Sequence, residues 1–497
     1  MLRLLHVVWF TFIQAACSTL LALLIGLSAA FFCGRRKFAG RKFLLSLSSV
    51  PFCVPPLIIA LGYVTFLGLN GGLNHFLMSV FGFEKPPVKI LYSFAGLVIA
   101  HGFYNFPIIM KNVSDVWERL PSETAESARL LGASEARVFR TVTVFQLIPS
   151  IVSSSMLVFI YCFLSFILVL LFGGIGNTTL EVEIYKSARG TLDFHNVAYL
   201  AITETLILCA MTLLYSLIER NASRVKKLDT ACLNERKAVK GFAETAGFIL
   251  LFLLIFVFFL LPLAGIVFNA FTSLKTGSKF TLETFRQILK TKSFLPSLKS
   301  SIIVGTCTGL LCTVLGFLYA VVLRFSENKT EKPNIILKIV PMLPMSISSV
   351  VVGVLITLII RRGTPASLVL AQSFLSWPLA FRIIYPFVEK IPDETLDCAA
   401  LISRNRFDTL IRLILPVCRT GILNAFCFSF ALSAGDTTLP LVLAIPKFDT
   451  LSLFCYRFAG AYRFNEACAA GVILGVLCAI FFALSSFNFK LKNNKRG

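Results

Sequence analysis

A chain of 497 residues that is 57% hydrophobic and only 14% charged, with a mean hydropathy of +0.83, does not have the composition of a soluble domain. Apolar runs of about 20 residues recur along its length, each enough for an α-helix to cross a bilayer. The formal charge of +22 would point a soluble protein towards nucleic acid. Here, however, the basic residues gather in alternate short loops, as they do on the cytoplasmic side of membrane proteins.

Taken in order, the apolar runs predict helices near 7–33, 49–69, 90–111, 146–174 and 196–218, then near 242–270, 297–324, 335–360, 366–388, 420–445 and 464–488. The opening MLRLLHVVWF resembles a short signal sequence, and Gln14-Ala15-Ala16-Cys17 a lipoprotein cleavage site. The apolar run nevertheless continues to Phe32 and ends in Gly34-Arg35-Arg36-Lys37, so a retained first helix is expected. Pro51, Pro55 and Pro56 open the second helix, and Pro341 and Pro344 interrupt the region before 345–360; both groups should bend or break helices. His101 and Asn105 lie mid-helix and are expected to pack or hydrogen-bond rather than hold a ligand. The polar, basic stretch Glu219 to Gly241 reads as a linker, and Lys490, Lys492, Lys495 and Arg496 make a basic tail. The 14 cysteines lie mostly inside apolar runs without any CxxC, which predicts buried thiols and neither a disulfide framework nor a metal site.

One polar, helix-forming segment occurs twice. Pro121 to Pro149 reads PSETAESARLLGASEARVFRTVTVFQLIP, and Pro392 to Thr420 reads PDETLDCAALISRNRFDTLIRLILPVCRT, 271 positions later. The same displacement relates Ala100, Phe103, Pro107 and Glu118 to Ala371, Phe374, Pro378 and Glu389, and Thr179, Leu180, Tyr185 and Ala188 to Thr450, Leu451, Tyr456 and Ala459. Nearer the start, Cys17, Leu20, Leu21 and Gly26 match Cys307, Leu310, Leu311 and Gly316 at a displacement of 290. A repeat on this scale makes the chain two related halves. The expected fold is an all-α polytopic membrane protein of two parallel homologous halves, with about five and about six transmembrane helices. The first half is 1–218 with a cytoplasmic segment at 112–145; a basic cytoplasmic linker covers 219–241; the second half is 242–497 with a cytoplasmic segment at 389–419. Helix 242–270 has no counterpart, so the first half either lacks a leading helix or was read from a late start codon.

Each copy of the segment begins with Pro and a capping residue, Ser122 or Asp393, followed by acids that suit the positive end of a helix dipole. Gly132 permits the left-handed backbone that closes a helix, and Ser134 can cap the next. The expected shape is a short helix, a turn and a second helix entering the membrane, a knob for a partner's cleft. A plain solvated loop would not need to be duplicated in register.

The segment resembles the Glu-Ala-Ala signature of permease subunits of ATP-binding-cassette importers. The first copy supplies Glu126-Ser127-Ala128 and Gly132, then Val142-x-Val144-Phe145; the second supplies Asp397-Cys398-Ala399 and Ser403, then Leu413-x-Leu415-Pro416. Fused two-half permeases of this sort are similar to those importing ferric iron or thiamine, and Gly173-Gly174, Thr178-Thr179-Leu180 and Ile184-Tyr185 look like the thiamine-type members. The resemblance implies a bacterial inner-membrane pathway for a small solute, thiamine (or a phosphate ester of it) or ferric iron. It implies two copies of a separate nucleotide-binding ATPase holding ATP and magnesium, an extracytoplasmic solute-binding protein, alternating access, and no cofactor on this chain. Glu126, Ala128, Gly132, Asp397, Ala399, Ser403, Leu415 and Pro416 would then couple the ATPase to the membrane helices. No Gly-Lys dipeptide occurs, so the chain carries no GxxxxGK[ST] phosphate loop of its own.

Asp436 lies deep in the run 420–445, flanked by Gly435 and Thr437. An intramembrane carboxylate costs at least about 2.5–3.5 kcal/mol on insertion scales and normally faces a cavity or a partner. Gly435, Asp436 and Thr437 are therefore candidates for the translocation pathway, the competing reading being a cap at a helix break. Their first-half equivalents, Leu164, Ser165 and Phe166, carry no charge. Nothing in the sequence makes a catalytic constellation, so an enzyme is not expected. The alternatives to an importer are a duplicated secondary transporter driven by an ion gradient, which would need a relay of intramembrane acids, and a membrane scaffold without transport.

Overall fold

A computed structural model describes residues 2–120, 122–173, 178–226, 236–272, 280–327, 337 and 340–493. Pro121, Gly174, residues 227–235 of the linker, and Lys495 and Arg496 of the tail lie outside the described residues; the first eight residues of the predicted linker, 219–226, are helical instead. Among those described, nine helices are long and apolar enough to cross a membrane. Contacts divide the chain into two compact units, Met1–Pro51 with Ile59–Ile266, and Phe52–Ile58 with Val267–Gly497.

In the first unit, α1 (Leu2–Arg35) packs along α3 (Phe94–Trp117), while α2 (Pro56–Leu67) begins at the prolines that sequence marked as a break. Helix α3 is absent from the nine membrane-length apolar helices although it has 24 residues. Most of it is buried in protein, which is why it tolerates His101, Asn105 and Ser114 where a lipid-facing helix would not. The repeated segment follows as α4 (Ser122–Leu130) and α5 (Glu135–Val138). A π-helical turn, Phe139–Thr143, leads into α6 (Val144–Phe163). The predicted helix 146–174 is broken: α6 ends at Leu164, and a short α7 (Ile167–Phe172) continues after it. Then come α8 (Leu180–Lys186) and α9 (Phe194–Lys226).

Helices α10 (Phe242–Ile255) and α11 (Leu261–Ala270) form the leading helix of the second half in sequence, yet up to Ile266 they belong to the first compact unit. Phe103 stacks on Phe258 with centroids 5.1 Å apart, and Phe106 meets Phe259 edge to face at 5.6 Å. The Tyr63 hydroxyl donates to the Phe258 carbonyl at 2.6 Å, and Arg36 pairs with Glu244.

The second unit repeats the plan with α12 (Phe294–Glu327), α13 (Ser349–Ile360), α14 (Pro365–Glu389), α15 (Asp393–Ile402), α16 (Arg406–Thr409) and a π-helical turn at Leu410–Ile414. After it run α17 (Leu415–Gly435), α18 (Thr438–Leu443), α19 (Leu451–Gly460) and α20 (Phe464–Asn493). Two predicted helices are shortened. In place of 335–360, residues 340–346 form a 3-10 turn containing Pro344, followed by the 12-residue α13; in place of 420–445, α17 stops at Gly435. One crossing is conserved between units in atomic detail. A Cβ on Gly26 of α1 would lie 2.8 Å from the Ile109 Cβ, and one on Gly316 of α12 would lie 2.7 Å from the Phe381 backbone nitrogen and 3.0 Å from the Ala380 carbonyl carbon. Both crossings are too close for any side chain but hydrogen, which accounts for glycine at both matched positions.

Candidate functional site

The two repeated segments fold as the sequence predicts and differ where their sequences differ. In the first, the N–H of Gly132 donates to Arg129 O at 2.9 Å and that of Ala133 to Ala128 O at 3.0 Å. This is the paired closure that needs a left-handed residue, and Gly132 has φ +84°. The Ser134 hydroxyl then caps α5 by accepting from the Arg137 N–H at 3.4 Å. Arg129 clamps the turn through Nε to Glu135 Oε1 at 2.6 Å and Nη2 to Oε2 at 3.2 Å.

In the second copy, Ser403 stands where glycine would, and it sits in extended backbone (φ −79°), so no left-handed residue is required. The Asn405 side chain caps α16 by accepting from the Asp408 N–H at 2.8 Å, in the place of Ser134. Arg324 ties the start of α15 to the end of α12, donating to Asp393 Oδ1 at 2.5 Å and to the Ile391 carbonyl at 2.9 Å. Glu126, Asp397, Leu415 and Pro416 are exposed, as is Gly132, while Ala128, Ala399 and Ser403 are half-buried.

An apolar pair that sequence pattern alone does not distinguish stands at the tip of each knob. Leu130 and Leu131 are 89% and 88% exposed, and their equivalents Leu401 and Ile402 are 88% and 87% exposed. Both pairs lie between charged residues, off the membrane-length helices. The displacement of 271 contained the signal, but only exposure separates these residues from core leucines.

A second constellation lies at the break between α17 and α18. Asp436 Oδ1 accepts from the Thr438 and Leu439 N–H groups at 2.9 and 3.4 Å, and Oδ2 accepts from Gln372 Nε2 at 3.0 Å. Gln372 Oε1 in turn accepts from the Ser433 hydroxyl at 2.5 Å and from Thr308 at 3.3 Å. The carboxylate thus caps α18 and ties the break to α14. Gly435 lies against Pro55, and the buried Thr437 hydroxyl has no hydrogen-bond partner among the described residues. The first unit builds the same junction with other residues: His101 and Ser165, at the positions of Gln372 and Asp436, hydrogen-bond at 2.6 Å. A further tertiary cap is also repeated, because Thr11 accepts from the Leu180 N–H at 3.0 Å as Ser301 accepts from Leu451 at 2.7 Å.

The first unit also buries acids that no sequence motif marks. Glu204 of α9 is fully buried within a membrane-length helix, and Glu181 and Glu183 of α8 are buried as well. Glu204 was visible as a lone carboxylate in an apolar run, the signal that drew attention to Asp436.

Residues 22–227 and 312–491 both match the family described as binding-protein-dependent transport system inner membrane component. The chain belongs to this family. It is a multi-pass permease of the bacterial inner membrane, of the ABC importer kind, and the two matched stretches are its two homologous halves. The thiamine transport system permease protein ThiP of Brucella abortus (strain 2308) is 27% identical over 494 residues, covering 94% of this chain and 85% of that protein. ThiP of Escherichia coli (strain K12) is 24% identical over 496 residues, covering 96% and 88% respectively. Among solved structures, a bacterial ABC transporter involved in the import of the acidic polysaccharide alginate matches with a TM-score of 0.38 and 16% identity, over 49% of this chain and 93% of that one. Family membership favours binding-protein-dependent import over the ion-driven alternative.

Proposed function

We propose that this permease forms the pathway for thiamine or a phosphate ester of it, driven by a separate ATPase that docks on both repeated segments at the cytoplasmic face. The duplicated exposed pairs Leu130-Leu131 and Leu401-Ile402 carry the docking part of this reading. Leaving four large apolar side chains in water forgoes about 1.5–3 kcal/mol each, an amount recovered when a partner's cleft covers them. Each pair ends a helix braced by an ion pair, Arg129–Glu135 in one unit and Arg324–Asp393 in the other, so a push on the knob passes to a membrane helix instead of bending a loop. Glu126, Ala128, Gly132, Asp397, Ala399, Ser403, Leu415 and Pro416 belong to this coupling surface, which would take two ATPase copies carrying ATP and magnesium.

Similarity to ThiP along nearly the whole chain supports the choice of solute. A pathway carrying negative charge would favour a thiamine cation, and each unit holds acids away from solvent: Glu181, Glu183 and Glu204 are buried in the first, and Asp436 is half-buried in the second. Gly435, Asp436 and Thr437 remain the proposed pathway residues there, with a solute-binding protein delivering from outside.

Uptake of labelled thiamine tests the proposal in cells that lack their own permease and supply the ATPase and binding protein. The variant Leu401→Glu/Ile402→Glu should lose at least about tenfold in uptake at unchanged membrane abundance, since burying a charge in an apolar cleft costs several kcal/mol. Uptake at the wild-type rate would refute docking at this segment, and no thiamine uptake by the wild type would refute the solute.

A further inference from the structure

Beside the first knob lies a cavity of about 460 Å³ that neither the transport pathway nor the apolar docking tip accounts for. It is lined by the end of α1, the end of α3, helices α4 and α5, the following π-helical turn, and Lys237 of the linker. Four cationic side chains line it, Arg35, Arg36, Arg129 and Lys237, against one carboxylate, Glu135. Glu135 is engaged by Arg129, and Arg36 is held by Glu244 and lies over the Phe31 ring at 5.1 Å. Arg35 and Lys237 have no carboxylate within ion-pair distance among the described residues.

Two further features make this more than a solvated basic face. Arg36 and Lys237 are direct partners in a two-residue parallel ladder, so the backbone itself holds like charges together. Like charges opposed in this way destabilise a pairing unless something between them is negative. In addition, Trp117, 4% exposed, lines the cavity, and its indole N–H has no acceptor among the described residues. A buried donor without an acceptor costs about 1–3 kcal/mol. Surplus positive charge faces the cavity, and an unmet donor lies buried in its wall.

We infer that this cavity is a binding site for a phosphate-bearing anion, held by Arg35, Arg36 and Lys237, with Trp117 in its wall. Guanidinium groups match phosphate oxygens through paired, charge-assisted hydrogen bonds. The volume suits a small headgroup or phosphate ester, within the range of roughly 300–1,000 Å³ typical of ligand pockets. Two sources share this chemistry: the headgroup of an anionic lipid at the inner-leaflet interface, where basic pockets between helices bind such groups, and a soluble phosphate compound. A bound anion would compete with Glu135 for Arg129 and alter the clamp across Gly132. This regulatory consequence rests on the coupling reading above, whereas binding does not.

The test uses the full chain, purified in neutral detergent, with Trp9→Phe and Trp377→Phe leaving Trp117 as the fluorescent reporter. It is titrated with dihexanoyl-phosphatidylglycerol, inorganic pyrophosphate and, as zwitterionic control, dihexanoyl-phosphatidylcholine. The expected result is a saturable change with an anionic probe and not with the control, weakened about tenfold by Arg35→Gln and by Lys237→Gln, the loss of one charge-assisted bond. Response to phosphatidylglycerol alone assigns the site to lipid, and response to pyrophosphate assigns it to a soluble phosphate. No saturable change, or equal affinity in both variants, overturns the site. Lys237 is exposed, so Lys237→Gln carries the test if Arg35→Gln does not fold. Fluorescence involves no ATPase, so failure of coupling and failure of binding are read separately.

Discussion

At the scale of the residue, Asp436 and Gly132 make opposite demands on their surroundings. Asp436 spends its carboxylate on backbone N–H groups at a helix break and on Gln372. Asp436→Ala is expected to cost about 1–2 kcal/mol in thermal unfolding of the purified permease, the usual loss of a cap. Asp436→Asn keeps an acceptor and should cost less than about 1 kcal/mol. The pair also separates capping from a pathway charge: transport that survives in Asn but fails in Ala identifies the cap, and transport that fails in both identifies the charge. Gly132 has open space beside it and a φ of +84°, so its constraint is backbone conformation and not room. Gly132→Val should strain the turn by roughly 1–2 kcal/mol and lower solute moved per ATP hydrolysed, measured in vesicles with the ATPase present. A wild-type transport ratio would count against this turn in coupling. The φ of Gly132 was legible in sequence, because a glycine after an amphipathic polar helix and before a serine has few other uses. The partners of Asp436 were not legible, since Gln372 lies 64 positions away and only folding brings it within 3.0 Å.

At the scale of the element, the two units solve the same packing problem twice. The close crossing of α1 on α3 recurs in α12 on α14, and glycine is what permits each approach. Gly316→Leu would place a side chain into the Ala380–Phe381 backbone and should destabilise the second unit by about 1–3 kcal/mol, read as a lower unfolding temperature. Gly316→Ala should fall in the same direction with a smaller shift. The π-helical turns at Phe139–Thr143 and Leu410–Ile414 also fall at equivalent positions, each between a knob and the membrane helix it precedes. Turns of this type often mark functional sites. Periodicity could not reveal them, nor the breaks at Leu164 and Asp436, because an apolar run looks the same whether its helix is continuous or interrupted. His101 with Ser165 in one unit and Gln372 with Asp436 in the other show why the repeat was faint here. What is preserved is a hydrogen bond from the third helix to the break, and different residue pairs can make it.

At the scale of the whole molecule, the repeat along the chain and the compact unit in space are divided differently. A fragment of residues 1–270 retains α10 and α11, whereas 1–226 leaves Phe103, Phe106 and Tyr63 without Phe258 and Phe259. Aromatic pairs of this kind are worth about 0.5–1.5 kcal/mol each beyond the apolar area they bury. When both fragments are expressed in membranes, 1–270 should yield a protease-resistant first unit and 1–226 should be degraded; equal resistance would show that the helix is dispensable to that unit. Sequence by itself determined the membrane class, the duplication, the two knobs and the absence of a phosphate loop, because each rests on local composition or on a displacement that can be counted. Only the tertiary structure decided which unit the leading helix joins, which acids are buried, what Asp436 touches, and which leucines stand in water. Those outcomes depend on side chains meeting across 60 to 200 positions. Apolar residues facing lipid, core or an open surface share one hydropathy, and only the fold tells them apart.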